Sequence, residues 1–177
     1  MGNGTGKDYL ADMQPEVRAV FSGFLDDCKD RGHHLLVHSG CRTLEEQARL
    51  YRRSRNSLEV GHKVDQLRMN GFDFLAEALE RVGPQAQGPW ATNAAPGESW
   101  HNYGMAIDAV LIVDGKPDWD VHFLPEWQEV GQIAVAHGLE WAGNWKRSRE
   151  YVHFQAGHGN NPLDNLTPDQ ARIILGV

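Results

Sequence analysis

The chain has 177 residues, 41% hydrophobic and 23% charged, which fits one globular domain and excludes disordered, collagen-like and coiled-coil chains. Seventeen Lys and Arg against twenty-four Asp and Glu leave a net charge of −7, a deficit of the cations that neutralise phosphates, so nucleic acid is not an expected partner. No apolar run approaches the ~18 residues of a membrane span, and Met1 to Asp8 lacks the basic and apolar regions of a signal peptide, so neither membrane insertion nor Sec-type export is expected.

The first predicted helix runs from Pro15 to about Arg31. Pro15 suits the first helical position, and Val17, Val20, Phe21, Phe24, Leu25 and Cys28 recur at three- and four-residue steps before the Gly32 stop. The short apolar run His34 to His38 reads as a strand. Thr43 with Glu46 makes a capping box that opens a second helix to about Arg53. Its neighbours Arg49, Arg52, Arg53 and Arg55 read as a solvated basic face. Residues 65–82 are expected to form one continuous third helix, stopped by Gly83-Pro84, and residues 83–100 a long loop of the kind that serves a site.

Met105 to Val113 reads as a buried strand ended by an Asp114-Gly115 turn. A helix is expected from Pro125 to His137, with Trp127, Val130, Ile133 and Ala134 inward. Short strands around 139–142 and 151–155 follow, and a last helix opens at the capping box Thr167 to Gln170. The mixture lacks a regular βαβ alternation, which predicts an α+β fold with a small antiparallel sheet and flanking helices. Two cysteines make no disulfide framework, so Cys28 and Cys41 are read as reduced.

Two compact clusters bring histidines beside acids: Ser99 to Asp108, and Glu150 to Phe154. A helix over 101–108 would separate His101 from Asp108 by ~10.5 Å along its axis, too far for ligands of one ion. A continuous strand would point the two side chains to opposite faces. A turn at Asn102-Tyr103-Gly104 resolves this by folding His101 back over a strand that carries Asp108. An acid inside an apolar strand needs a partner, and a divalent metal is one. His153 completes a His, Asp, His set that leaves one tetrahedral position open, the pattern of a single catalytic Zn²⁺. Glu150 then stands as general base and proton donor. Arg42, between a strand end and a helix start, is placed to stabilise an oxyanion or hold a substrate carboxylate.

Ser99-x-His101-x-x-Gly104-x-Ala106-x-Asp108, Glu150-x-x-His153 and Ser39-Gly40-x-Arg42-Thr43 together resemble the D-alanyl-D-alanine carboxypeptidase (VanY-like) family of zinc peptidases. Trp100 to Gly104, Asp114 to Trp119, Val130-Gly131-Gln132 and Gly138 to Trp141 are most similar to its L-alanyl-D-glutamate endopeptidase branch, which includes bacteriophage endolysins. The resemblance spans about residues 35–155. It implies that His101, Asp108 and His153 bind zinc, that Glu150 is the base, and that Arg42 steadies the substrate. The motif residue Ser99 and the aromatics Trp100 and Tyr103 are candidate substrate contacts; for Trp100, Tyr103, Trp141 and Trp145, core packing is an equal alternative.

The implied activity is cleavage of the L-alanyl-D-glutamate bond in the stem peptide of peptidoglycan. The implied route is synthesis in the cytoplasm and release to the wall during phage lysis. Residues 1–177 are expected to be a single catalytic domain, acting as a monomer without a separate wall-binding domain; the stretch 56–90 is longer than the family pattern. Alternatives are a D-alanyl-D-alanine carboxypeptidase, a metal-dependent esterase or amidase, and a non-catalytic zinc-binding module. His33, His34, His38, His62, His122, His137 and His158 read as surface or edge residues.

Overall fold

The computed structural model describes residues 7–83 and 88–177. The stretch before Lys7 and the Pro84 helix stop lie outside the described residues. In chain order the elements are α1 (Pro15–Asp30), β1 (His34–Ser39), α2 (Leu44–Arg52), α3 (Ser57–Met69), α4 (Asp73–Arg81), β2 (Ala106–Val113), β3 (Lys116–Pro117), α5 (Leu124–Ala136), β4 (Glu140–Trp141), β5 (His153–Gln155) and α6 (Pro168–Leu175). The fold is α+β, and every strand pairing is antiparallel. No helix among the described residues is long and apolar enough to cross a membrane. The chain divides into two compact units, Met1–Cys41 with Gly104–Gly157, and Arg42–Tyr103 with His158–Val177.

The first unit holds the whole sheet, ordered β1-β2-β5-β4 with β3 on β2. Alternation along β2 sends Ile107, Ala109 and Leu111 to one face, where they pack with Phe21, Phe24 and Cys28 of α1 and Trp127, Val130 and Ile133 of α5. Phe21, Phe24, Trp127 and Phe154 are fully buried, and each such side chain stabilises the fold by roughly 1.5–3 kcal/mol. Period-2 alternation puts Asp108 on the opposite face, where Ser39 of β1 and His153 of β5 stand across from it. Cys28 and Cys41 are both free thiols.

Asp118 follows β3 and is 5% exposed. Its carboxylate accepts from the Trp127 indole N–H at 2.9 Å, from the backbone of His122 at 2.9 Å and of Phe123 at 3.2 Å, and contacts the His122 ring at 3.1 Å. Burial alone would raise its pKa, but these donors hold it below the ordinary aspartate value. A depressed carboxyl contributes stability above its unfolded pKa of about 3.9, and that contribution fades as pH falls through the folded value. Asp118→Ala should therefore cost about 1–3 kcal/mol at neutral pH by stranding buried donors. The gap between wild type and variant in urea melts should narrow below about pH 4.

The second unit is helical. Its core joins Leu44, Ala48 and Tyr51 of α2, Val60, Val64 and Leu67 of α3, and Leu75 and Leu79 of α4. Both Thr43 with Glu46 and Thr167 with Gln170 form complete capping boxes. The single helix expected over 65–82 is instead two. The first ends at Met69 with Asn70 as its C-cap, Gly71 takes φ +81, and the amides of Gly71 and Phe72 close on the carbonyls of Arg68 and Leu67 at 2.9 Å. That Schellman closure terminates a helix, and glycine adopts the left-handed residue it needs without strain. The first of the two also begins earlier than expected, at a capping box of Asn56 and Glu59.

The solvated face expected for the arginine cluster is corrected at Arg55, which is only 4% exposed. Its guanidinium lies 3.7 Å from the ring centroids of both Tyr51 and Trp90, and donates to the carbonyls of Tyr51 and Thr92. Two aromatic faces and two carbonyls replace the water that a buried cation gives up. Arg52 also turns inward, donating to the Leu79 carbonyl at 2.9 Å.

Candidate metal centre

Asp108 and His153 meet because β2 and β5 pair in register. His153 Nδ1 lies 3.1 Å from Asp108 Oδ1, both residues being buried. The other ring nitrogen, Nε2, lies 3.1 Å from Gln155 Oε1, and Gln155 Nε2 donates to Glu140 at 2.7 Å and to the Gly157 carbonyl at 2.9 Å. Those two bonds fix which end of the Gln155 amide faces the imidazole. The ring is therefore oriented with Nε2 as the donor to Gln155 and Nδ1 turned to Asp108, the second-layer arrangement that metal-binding histidines use. Burial disfavours the imidazolium, yet the Asp108 hydrogen bond and charge, with Gln155 and Glu150, keep the His153 pKa above its ordinary value.

His101 sits on a 3-10 turn, Trp100–Tyr103, and is 2% exposed. Its carbonyl accepts from Arg42 N at 3.0 Å. The Asn102 side chain ties this turn down, donating to the carbonyls of Arg42 and Thr43 at 3.0 and 3.2 Å and accepting from Gly97 N at 2.9 Å. Gly104, at φ +64, then reverses the chain into β2, and a Cβ there would stand 3.2 Å from Cys41 Sγ. His101, Asp108 and His153 each offer one ligand atom, and the three atoms lie within 4.8 Å of one another. Two imidazoles and one carboxylate suit zinc, and two ligands at ~2.0–2.1 Å from a tetrahedral ion stand ~3.3 Å apart, close to the Asp108–His153 spacing.

The other candidates are placed as follows. Glu150 is exposed, three residues ahead of His153, and its carbonyl accepts from His153 N at 3.4 Å. Arg42 precedes α2, with Nη1 3.5 Å from Oε1 of the fully buried Gln47. Ser99 is buried, its carbonyl accepting from Asn102 N at 2.9 Å. Trp100 donates from its indole to the Gly159 carbonyl at 2.7 Å, and the Tyr103 hydroxyl donates to the Gly97 carbonyl at 3.1 Å, its pKa pushed up by burial. Trp141 is buried and donates to the Tyr151 carbonyl, while the Trp145 ring lies 5.7 Å from that of His153. Sequence reasoning missed the orienting roles of Gln155, Glu140 and Asn102. The signal for Gln155 was its place two residues after His153, on the same strand face.

A buried His-Asp-His donor set anchored on an antiparallel sheet defines a candidate metal centre. Residues 92–156, which contain all three candidate ligands and Glu150, match the family model described as D-alanyl-D-alanine carboxypeptidase. The match covers the Ser99–Asp108 and Glu150–His153 motifs of the resemblance. A curated relative, the peptidoglycan L-alanyl-D-glutamate endopeptidase CwlK of Bacillus subtilis (strain 168), is 28% identical over 152 residues, 82% of this chain and 74% of the relative. Among solved structures, the vancomycin-resistance D,D-pentapeptidase VanY in complex with Zn(II) aligns with a TM-score of 0.47 and 17% identity, over 93% of this chain and 79% of that one. The Serratia marcescens L-Ala D-Glu endopeptidase ChiX aligns with a TM-score of 0.45 and 17% identity, over 84% and 83%.

Proposed function

We propose that this chain is a zinc-dependent peptidase that hydrolyses the L-alanyl-D-glutamate bond in the stem peptide of peptidoglycan. The observation that carries the reading is the gathering of His101, Asp108 and His153, with an acid three residues before the last of them. The family match supports a peptidase, and the likeness to an L-alanyl-D-glutamate endopeptidase supports the choice of bond. When bound, zinc supplies Lewis acidity at the scissile carbonyl and acidifies water for attack. Glu150 takes the proton of the attacking water and returns it to the leaving amine, so one carboxylate serves both halves of the reaction. Arg42 holds the negative charge that develops on the carbonyl oxygen, or the substrate carboxylate. Gln155, through its bond to His153, keeps that ring in the tautomer a ligand needs.

On this reading residues 1–177 work as a single catalytic domain and as a monomer. The chain is made in the cytoplasm and reaches the wall on release, the setting of a phage lysis enzyme. Mass spectrometry of peptidoglycan digests tests the bond assignment. New amino-terminal D-glutamate, with L-alanine left on the glycan, is the expected product pair. Release of free D-alanine instead would assign the D-alanyl-D-alanine carboxypeptidase activity that the family description names.

A further inference from the structure

The sheet face that carries Asp108 and His153 continues past them. Leu36 of β1 stands across from Val110 of β2 on that face and is 51% exposed. Between Val37 and Ser39 the register slips, so His38 is the extra residue of a β-bulge opposite Asp108. Bulges of this kind re-aim a side chain, and they occur beside active sites. The His38 ring meets the Trp119 indole edge-on, centroids 4.9 Å apart at 71°. Trp119 itself is 52% exposed, although it directly follows the tightly held Asp118. The residue before it is held by backbone pairing, since Asp118 N donates to the Leu111 carbonyl at 2.8 Å.

We propose that Trp119 is a specificity-determining residue, its exposed indole taking a CH-rich face of the substrate next to the scissile bond. His38 acts as the positioning residue that sets the indole's angle. The inference rests on the peptidase reading above and extends it to a substrate contact. The indole stands 4.9 Å from the ring of His38, next to the strand position opposite Asp108, so it is placed for a group beside the scissile bond and not for the bond itself. Tryptophan presents a large, rigid apolar area at little entropic cost, which makes it a frequent energetic centre of binding. In a peptidoglycan stem, two neighbouring groups have the required chemistry: an alanyl methyl and the pyranose ring that bears the peptide.

Steady-state kinetics on two substrates test this, one the free stem peptide and the other the same peptide on its disaccharide. Trp119→Ala should raise KM about five- to tenfold with kcat little changed. Trp119→Phe should recover much of the loss, and His38→Ala should raise KM by less than Trp119→Ala does. A KM rise on both substrates assigns the methyl, and a rise on the disaccharide form alone assigns the ring. Unchanged KM on both, or a fall in kcat at constant KM, overturns the inference while the peptidase reading stands. A wild-type chain that cleaves neither substrate overturns that reading and this inference with it. Bound zinc and thermal midpoint are measured on each variant, and Trp119→Phe carries the test if Trp119→Ala does not fold.

Discussion

Glu150→Ala is expected to leave zinc bound and to slow hydrolysis by about 10²- to 10⁴-fold, the range a positioned general base contributes. Glu150 is exposed, whereas His101, Asp108 and His153 are all buried, so truncating it removes a proton carrier and leaves the donor set intact. The contrast between the two readouts is what gives the experiment its force. A base acts on the rate and spares the metal; a ligand controls both. Metal analysis and turnover are measured on the same preparation. Unchanged turnover would remove Glu150 from the mechanism and favour a zinc-binding module without catalysis. Loss of zinc together with activity would make Glu150 a ligand instead of a base.

Asp108→Ala is expected to abolish both zinc binding and hydrolysis. In the proposed centre Asp108 is the one anionic ligand, and its carboxylate lies 3.1 Å from His153 Nδ1, so its removal takes away a donor and frees the orientation of another. Binding to the folded state alone stabilises it by mass action, ~4 kcal/mol when free zinc is a thousandfold above Kd. For a domain of this size, that shifts the melting midpoint upward by roughly ten degrees. Wild type should show this zinc-dependent rise and Asp108→Ala should not. The metal-free midpoints of the two proteins should lie much closer together, because the variant also relieves the cost of a buried carboxylate. A variant that still melts higher with zinc would place the ion elsewhere.

Much of the fold was legible because local signals and tertiary packing agree. Helix α1 shows its apolar stripe and its proline start in the sequence, and α2 and α6 announce themselves by capping boxes that the structure completes. The helix expected over 65–82 breaks at Gly71, where the hydrophobic period continues across a residue whose left-handed conformation terminates the helix. The Asn56 and Glu59 capping box was an available signal of the true start of α3. Arg55 is buried although charge predicts exposure; its burial depends on Trp90, 35 positions away, and on a loop carbonyl at Thr92. Such partners have no local trace.

The candidate centre was legible for a different reason. His101 and Asp108 are close in sequence and incompatible with a single helix or strand, which forces a turn, and Gly104 supplies it with φ +64. The contribution of His153 needed the pairing of β2 with β5, a long-range register that came from the motif and not from periodicity. The residues behind the ligands were not legible. Glu140 and Asn102 act through hydrogen bonds to partners far along the chain, and for Gln155 the only signal is its place two residues after His153 on the same strand face.

Diffraction at the zinc absorption edge, from crystals of the wild-type chain grown with zinc, tests the centre most directly. The expected result is one anomalous peak bonded to His101, Asp108 and His153 at ~2.0–2.2 Å, with the fourth position open to water and Glu150 near it. A peak away from these side chains, or a fourth protein ligand closing the site, would contradict it.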